Sequence, residues 1–209
     1  MMIVISNRTH GSPMSLSESP SETSALSPQT ALFAPQSRRC RSIEWQEPRL
    51  VTRAALAMSG LEAMRAIRDG VLPPPPLAKL IGFTMAEVEP GLVVMELEPE
   101  QSLENTVGLL HGAVAAALLD TAMGCALSTH LPAGQGSVTL DLKLTYLRPL
   151  SVRSGTIRAE GRVIKLGRQS SYTEGFVRDG AGKLAVHGTA TFSMIGGGPS
   201  QPRALPEDS

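Results

Sequence analysis

From Ser137 the chain alternates. In SVTLDLKLTYL, residues Val138, Leu140, Leu142, Leu144 and Tyr146 fall on one side of an extended backbone, and Thr139, Asp141, Lys143 and Thr145 on the other. That period of two predicts a strand with one buried face. GTIRAEGRVIKLG, QSSYTEGFVRDG and GKLAVHGTATFSMI read as three more strands, joined through Gly167-Arg168 and through Asp179-Gly-Ala-Gly. Upstream, GFTMAEVE and GLVVMELE flank Pro90-Gly91, a tight-turn dipeptide, and predict a hairpin. Between the two groups of strands lies HGAVAAALLDTAMGCAL, small and apolar at nearly every position. It predicts a helix from about Gly112 to Thr129, ending before Leu131-Pro132 and AGQG. A helix apolar on most faces must be covered nearly all round. One antiparallel sheet curled about that helix would do it, giving an α+β chain.

The ends of the chain read differently. SPMSLSESPSETSALSPQTALFAPQSRRCRS is rich in Ser and Pro and shows no helix or strand period. Such composition buries too little apolar surface to fold. Residues 1–57 are therefore expected to be a disordered extension, or to precede a true start at Met58. Residues 58–76 are expected to hold a short amphipathic helix, SGLEAMRAIRDG, and a Pro linker. In that helix Ser59 is the N-cap, Glu62 completes a capping box and Gly70 ends it. Residues 77–196 form the domain proper and 197–209 a flexible tail.

Composition narrows the function. The formal net charge is zero, so no global field favours nucleic acid or an anionic membrane. No run reaches the roughly 20 apolar residues of a membrane span without a charge. The four His and two Cys show no ligand spacing, so no metal is expected. Two cysteines in unrelated contexts make no disulfide framework, which points to a reducing, cytoplasmic setting.

One residue does not fit its surroundings. Between Glu104 and Asp141, Asp120 is the only Asp, Glu, Lys or Arg. A carboxylate is costly to bury unless it is paired or does chemistry. Asn105 precedes His111-Gly112 by six residues, and Asp120 follows His111 by nine. With PPPPLAKLIGF, LDLKLTYLRP and EGRVIKLGR, this run, NTVGLLHGAVAAALLDTAMG, resembles the hotdog-fold acyl-CoA thioesterases, in the branch similar to the phenylacetate-degradation thioesterases. The resemblance implies a curled antiparallel sheet wrapped around one long central helix, and hydrolysis of an acyl-CoA to free acid and CoA without a cofactor. It also implies a homodimer or homotetramer. Two positions depart from the pattern: Ala113 stands where a second Gly is usual, and Gly124 where some branches place Ser or Thr.

Spacing alone supports part of this. Gly112 lies at the predicted N-terminus of a buried helix, where an N–H without an intrahelical acceptor and the helix dipole favour negative charge. Such a donor suits the oxyanion of an attacked thioester. Asp120, eight residues on, sits roughly 12 Å along the axis, too far to serve the same carbonyl. If two chains pack with these helices antiparallel, Asp120 of one comes beside Gly112 of the other, and the site requires a dimer. Asp120 is then nucleophile or general base, and the sequence leaves the two open. Asn105 and His111 are expected to orient the carbonyl or the attacking water, and Thr139 to position water. Arg148, Lys165 and Arg168 are the candidate cations for the CoA phosphates, and Gly167 is expected to let the chain pass close to the nucleotide. Met123 and Cys125 read as packing, and His130 and His187 as structural. A non-catalytic acyl-CoA sensor or carrier is the rival reading. It has no use for Asp120. Acyl preference stays open: Met, Leu and Val from the helix and residues 83–98 suit a medium fatty chain or an aryl-acetyl group alike.

Overall fold

Local chemistry sets the ends of the helices that precede the sheet. Helix α1 (Pro48–Leu56) starts at Pro48, whose fixed φ suits a first helical position, and the Glu47 carboxylate accepts from the Arg49 N–H at 3.2 Å. Helix α2 (Gly60–Arg68) carries the expected capping box. Ser59 Oγ accepts from the Glu62 N–H, and the Glu62 carboxylate accepts from the Ser59 N–H at 3.0 Å. These Ser59 hydrogen bonds hold the Glu62 carboxyl below its usual range. Helix α3 (Pro76–Ile81) again opens on a proline and closes at Gly82, whose φ of 95° is the left-handed stop.

The structure is a computed structural model that describes residues 39–196. The tail 197–209, and residues 1–38 of the expected extension, lie outside the described residues. Contacts divide the chain into Met1–Glu44 and Trp45–Ser209. Of the first unit only residues 39–44 are described, without helix or strand; everything below concerns the second. Two sequence expectations are corrected here. No helix was foreseen at 48–56, and Pro76 was assigned to a linker. In both places a proline starts a helix where the composition suggests a break, because a missing N–H costs nothing in the first turn.

Six strands follow: β1 (Phe83–Glu89), β2 (Leu92–Leu97), β3 (Gln135–Tyr146), β4 (Ile157–Lys165), β5 (Ser170–Arg178) and β6 (Leu184–Gly196). Helix α4 (Gly112–Ser128) runs between β2 and β3, within a residue of its expected bounds. The strands form one antiparallel sheet in the order β1-β2-β4-β5-β6-β3. β1 and β2 pair as a hairpin through Pro90-Gly91, as expected, with Gly91 at a φ of 76°. On the other face of the sheet from α4, Arg158 on β4 pairs with Glu87 and Glu96 of β1 and β2.

The sheet curls around α4 and supplies most of its cover. Leu118, Leu119, Ala122, Met123, Ala126 and Leu127 are fully buried, which at about 25 cal/mol per Å² of apolar area is the main attraction holding helix to sheet. The approach is closest at Gly161 in β4. A Cβ there would lie 2.4 Å from the Ala122 carbonyl carbon and the Met123 nitrogen, so only glycine lets the helix backbone settle on the strand. This is the α+β hotdog arrangement that the resemblance implies.

The cover is incomplete on one side. Ala113 is exposed, and Ala116, Ala117 and Asp120 are only half-buried. They form an i, i+3, i+4, i+7 stripe of small residues plus one acid. The chain's own sheet does not wrap the helix all round, as its composition demanded. The neighbouring edge strand β3 is also unlike its expectation. Val138 is 46% exposed, Leu140 62% and Tyr146 53%. The pairing with β6 slips between Thr139 and Asp141, leaving Leu140 as a bulge. The bulge reverses the faces. Thr139 stands opposite Phe192 and Leu142 opposite Ala190, both core residues, whereas Val138 faces Ser193. Strict alternation set Thr139 apart from Leu142; the extra residue puts them on the same, helix-facing side.

Candidate active site

The helix entry is built from its cap. His111 is the N-cap of α4, and its Nδ1 accepts from the Ala113 N–H at 3.1 Å. That bond assigns the proton to Nε2, which is left as a donor on the exposed side of the ring. The His111 carbonyl accepts from the Val114 N–H at 2.9 Å. Of the first N–H groups of the helix, the one at Gly112 remains for an outside acceptor.

The loop before it is organised by Asn105. Its Oδ1 accepts from the Val107 and Leu109 N–H groups at 3.0 and 3.1 Å, and its own N–H donates to the Leu109 carbonyl at 2.7 Å. The carboxamide is thereby oriented, with its NH₂ left over. His111 is tied back by its N–H to the Leu103 carbonyl at 2.9 Å. Tyr146, at the end of β3, closes the group. Its hydroxyl donates to the Gly112 carbonyl at 2.8 Å. A Cβ on Gly112 would stand 3.2 Å from the Tyr146 ring. Asn105, His111, Gly112, Tyr146 and Arg148 line one cavity of about 270 Å³. Sequence reasoning placed Tyr146 with the buried apolar residues and missed it here; a tyrosine ending an amphipathic strand, with a hydroxyl to satisfy, was the available signal.

Asp120 lies elsewhere. Two helical turns along α4, it accepts at Oδ1 from the Thr139 hydroxyl at 2.8 Å. Thr139 therefore touches the acid itself, a contact the bulge at Leu140 creates. Cys125 sits close by on α4. Burial, and then the negative charge of Asp120, push its thiol up to about 12, so it is no nucleophile near neutral pH. Among the described residues no three His, Cys, Asp or Glu side chains gather to hold a metal ion, and no helix is long and apolar enough to cross a membrane. His187 pairs with Glu174 at 2.8 Å on the opposite face of the sheet, and His130 lies against the Gly91 turn; neither joins the site.

The candidate CoA contacts fall into two groups. Arg148 borders the Gly112 cavity, beside the start of β6, where its N–H donates to the Ala185 carbonyl at 3.1 Å. Lys165, Gly167 and Arg168 form the β4–β5 turn, at the far end of β6, where the Met194 N–H donates to the Gln169 carbonyl at 2.9 Å. Nine strand residues separate the two, roughly 30 Å. Gly167 is needed by its own turn: a Cβ there would lie 2.0 Å from the Ser170 carbonyl oxygen. The close approach it permits is to the chain itself.

Helix α4 of one protomer thus carries two separate polar groups. The first has oriented donors and no acid. The second has an acid and its hydroxyl partner but no free helix N-terminus.

Comparison with known proteins bears on what such groups do. The thioesterase superfamily profile matches residues 107–186, from the Asn105 loop to the start of β6. The proofreading thioesterase EntH of Klebsiella pneumoniae is 36% identical over 103 residues, 49% of this chain and 74% of that protein. A solved Ralstonia eutropha protein, described as phenylacetic acid degradation-related, superposes with a TM-score of 0.57 at 26% identity, over 62% of this chain and 98% of that one. A Streptococcus mutans protein solved with acetyl CoA bound gives 0.50 at 25% identity, over 55% and 89%.

Proposed function

The chain belongs to the thioesterase superfamily and is a thioester hydrolase; from that premise we propose that it cleaves acyl-CoA at two equivalent sites, each shared between the protomers of a twofold dimer. The observation that carries this reading is the separation of the halves. Gly112 and Asp120 stand roughly 12 Å apart on one helix, and the stripe between them is the face of α4 that its own sheet leaves open. Laying a second α4 antiparallel on that stripe brings each Asp120 to the other chain's Gly112. The same operation carries the partner's β4–β5 turn, with Lys165 and Arg168, toward Arg148, so cations from both chains meet the CoA phosphates.

In such a site the thioester oxygen points at the Gly112 N–H and the N-terminal end of the helix dipole, with the Asn105 NH₂ and His111 Nε2–H as flanking donors. Attack on the carbonyl carbon places negative charge on that oxygen, where the donors hold it. The C–S bond then breaks and CoA leaves as thiolate, which takes up a proton. Asp120, oriented by Thr139, acts in one of two ways. It removes a proton from the attacking water, or it attacks directly and forms an acyl anhydride that water then opens.

The test is release of CoA thiol from an acyl-CoA panel. Asp120→Asn is expected to lose a hundredfold or more in kcat with its circular dichroism unchanged. Undiminished turnover by Asp120→Asn sinks the proposal. Single-turnover hydrolysis in H₂¹⁸O tests the covalent route: label in the Asp120 carboxylate shows that it was the nucleophile and that water opened the anhydride at its own carbon.

A further inference from the structure

A second cavity, of about 420 Å³, lies beneath the N-terminal helices. Its roof is Val51 and Ala55 of α1 with Met64 of α2, its floor Met85 and Met95 of β1 and β2, and its end wall the Pro73–Pro76 run. α1 buries no residue and yet lies over this space with Val51 and Ala55 turned in. Among the described residues the only charged side chain on the lining is Arg68, which is engaged by Asp69 at 2.7 Å. Among the described residues Phe83 is the one aromatic side chain on the lining, and the apolar part of the wall is otherwise aliphatic and thioether, interrupted by hydroxyls such as those of Thr52, Thr84 and Ser128. Methionine side chains are unbranched and adapt to the shape of what they enclose.

The cavity runs beside the acid, which does not itself line it. Thr121, the residue after Asp120, and Cys125, one turn further on, belong to its wall, as does Ser137, two residues before Thr139. An acyl group whose carbonyl carbon stands at Asp120 has this space next to it, along α4.

We propose that this cavity receives the acyl chain of the substrate, that the substrates are straight medium to long aliphatic acyl thioesters, and that α1 sets the chain length by closing the roof. The proposal rests on the thioesterase reading above and names its substrate class. Taking a methylene as about the 30 Å³ a water occupies in the liquid, the space holds on the order of ten carbons. Each buried methylene strengthens binding roughly fourfold, so selectivity rises steeply with length until the cavity is full.

The experiment compares kcat/KM for butyryl-, hexanoyl-, octanoyl-, dodecanoyl-, palmitoyl-, benzoyl- and phenylacetyl-CoA in the wild type, Ala55→Trp and Val51→Trp. Neither substituted residue belongs to the catalytic halves. The expected result is an optimum between octanoyl and dodecanoyl, at least tenfold above both aryl substrates. Each tryptophan moves the optimum to a shorter chain and leaves butyryl-CoA within twofold. Preference for an aryl substrate, or equal loss on all chain lengths in both folded variants, overturns the proposal while thioester hydrolysis stands. If no thioester is cleaved, the proposed function has failed, and dodecanoyl-CoA binding by calorimetry decides this cavity separately. Binding tighter than CoA itself, and weakened in Ala55→Trp, upholds it; equal binding overturns it.

Discussion

At Asp120 a single carboxylate has two neighbours that stand differently to it. Thr139 fixes one oxygen, and Cys125 lies within reach of its field. The thiol has a measurable consequence. A group whose pKa is raised to about 12 carries almost no thiolate at pH 8. Native protein treated with iodoacetamide at that pH should therefore label exposed Cys40 and spare Cys125, with the second label appearing only after unfolding; mass spectrometry of the peptides reads this. Equal labelling of both in the native state would mean that the Cys125 thiol is not held protonated. Asp120 itself was legible in the sequence, because a lone charge among alanines and leucines demands a reason. Its partner was legible only as a polar residue nearby. The direct bond from Thr139 depends on a bulge at Leu140, and a bulge leaves no mark on a sequence that alternates perfectly through it.

At the level of elements, α4 is held at both ends by chemistry that the sequence displays and along its length by chemistry that it hides. His111 caps the start, so His111→Ala should cost about 1 kcal/mol, seen as a fall of roughly 2–4 °C in Tm, together with a loss of turnover from the missing Nε2–H donor. Loss of activity with unchanged Tm would mean the ring does not cap. The capping box of α2, the Pro-Gly hairpin and the six strands followed from patterns a few residues long. Helices α1 and α3 did not, because each begins on a proline in a Pro-rich stretch, where one residue type marks both breaks and starts. Gly161 was equally silent: inside a strand it reads as a weak position, and only the 2.4 Å approach of the Ala122 carbonyl carbon shows why nothing larger fits.

For the whole molecule the informative feature is what one chain fails to cover. A helix so apolar predicts complete enclosure, and the structure encloses it on the sheet side alone. Beside the open stripe runs β3, an edge strand with apolar side chains exposed, an arrangement monomers avoid because it invites pairing. Ala117→Glu, which sets a charge on that stripe, should yield a folded monomer on light scattering with activity reduced at least a hundredfold. An active monomer would mean that one chain suffices.

In the proposed dimer, with the donor at the first turn of α4 and the acid two turns later, each copy of the helix would belong to two reaction centres and complete neither. Two different broken chains should then mend one another. A subunit with Asp120→Asn still offers an intact Gly112 end, and one with Gly112→Val, which forces a side chain against Tyr146, still offers an intact acid. Denatured together in equal amounts and refolded, half the dimers are mixed and each mixed dimer has one whole centre, so roughly a quarter of the wild-type rate should return from two inactive preparations.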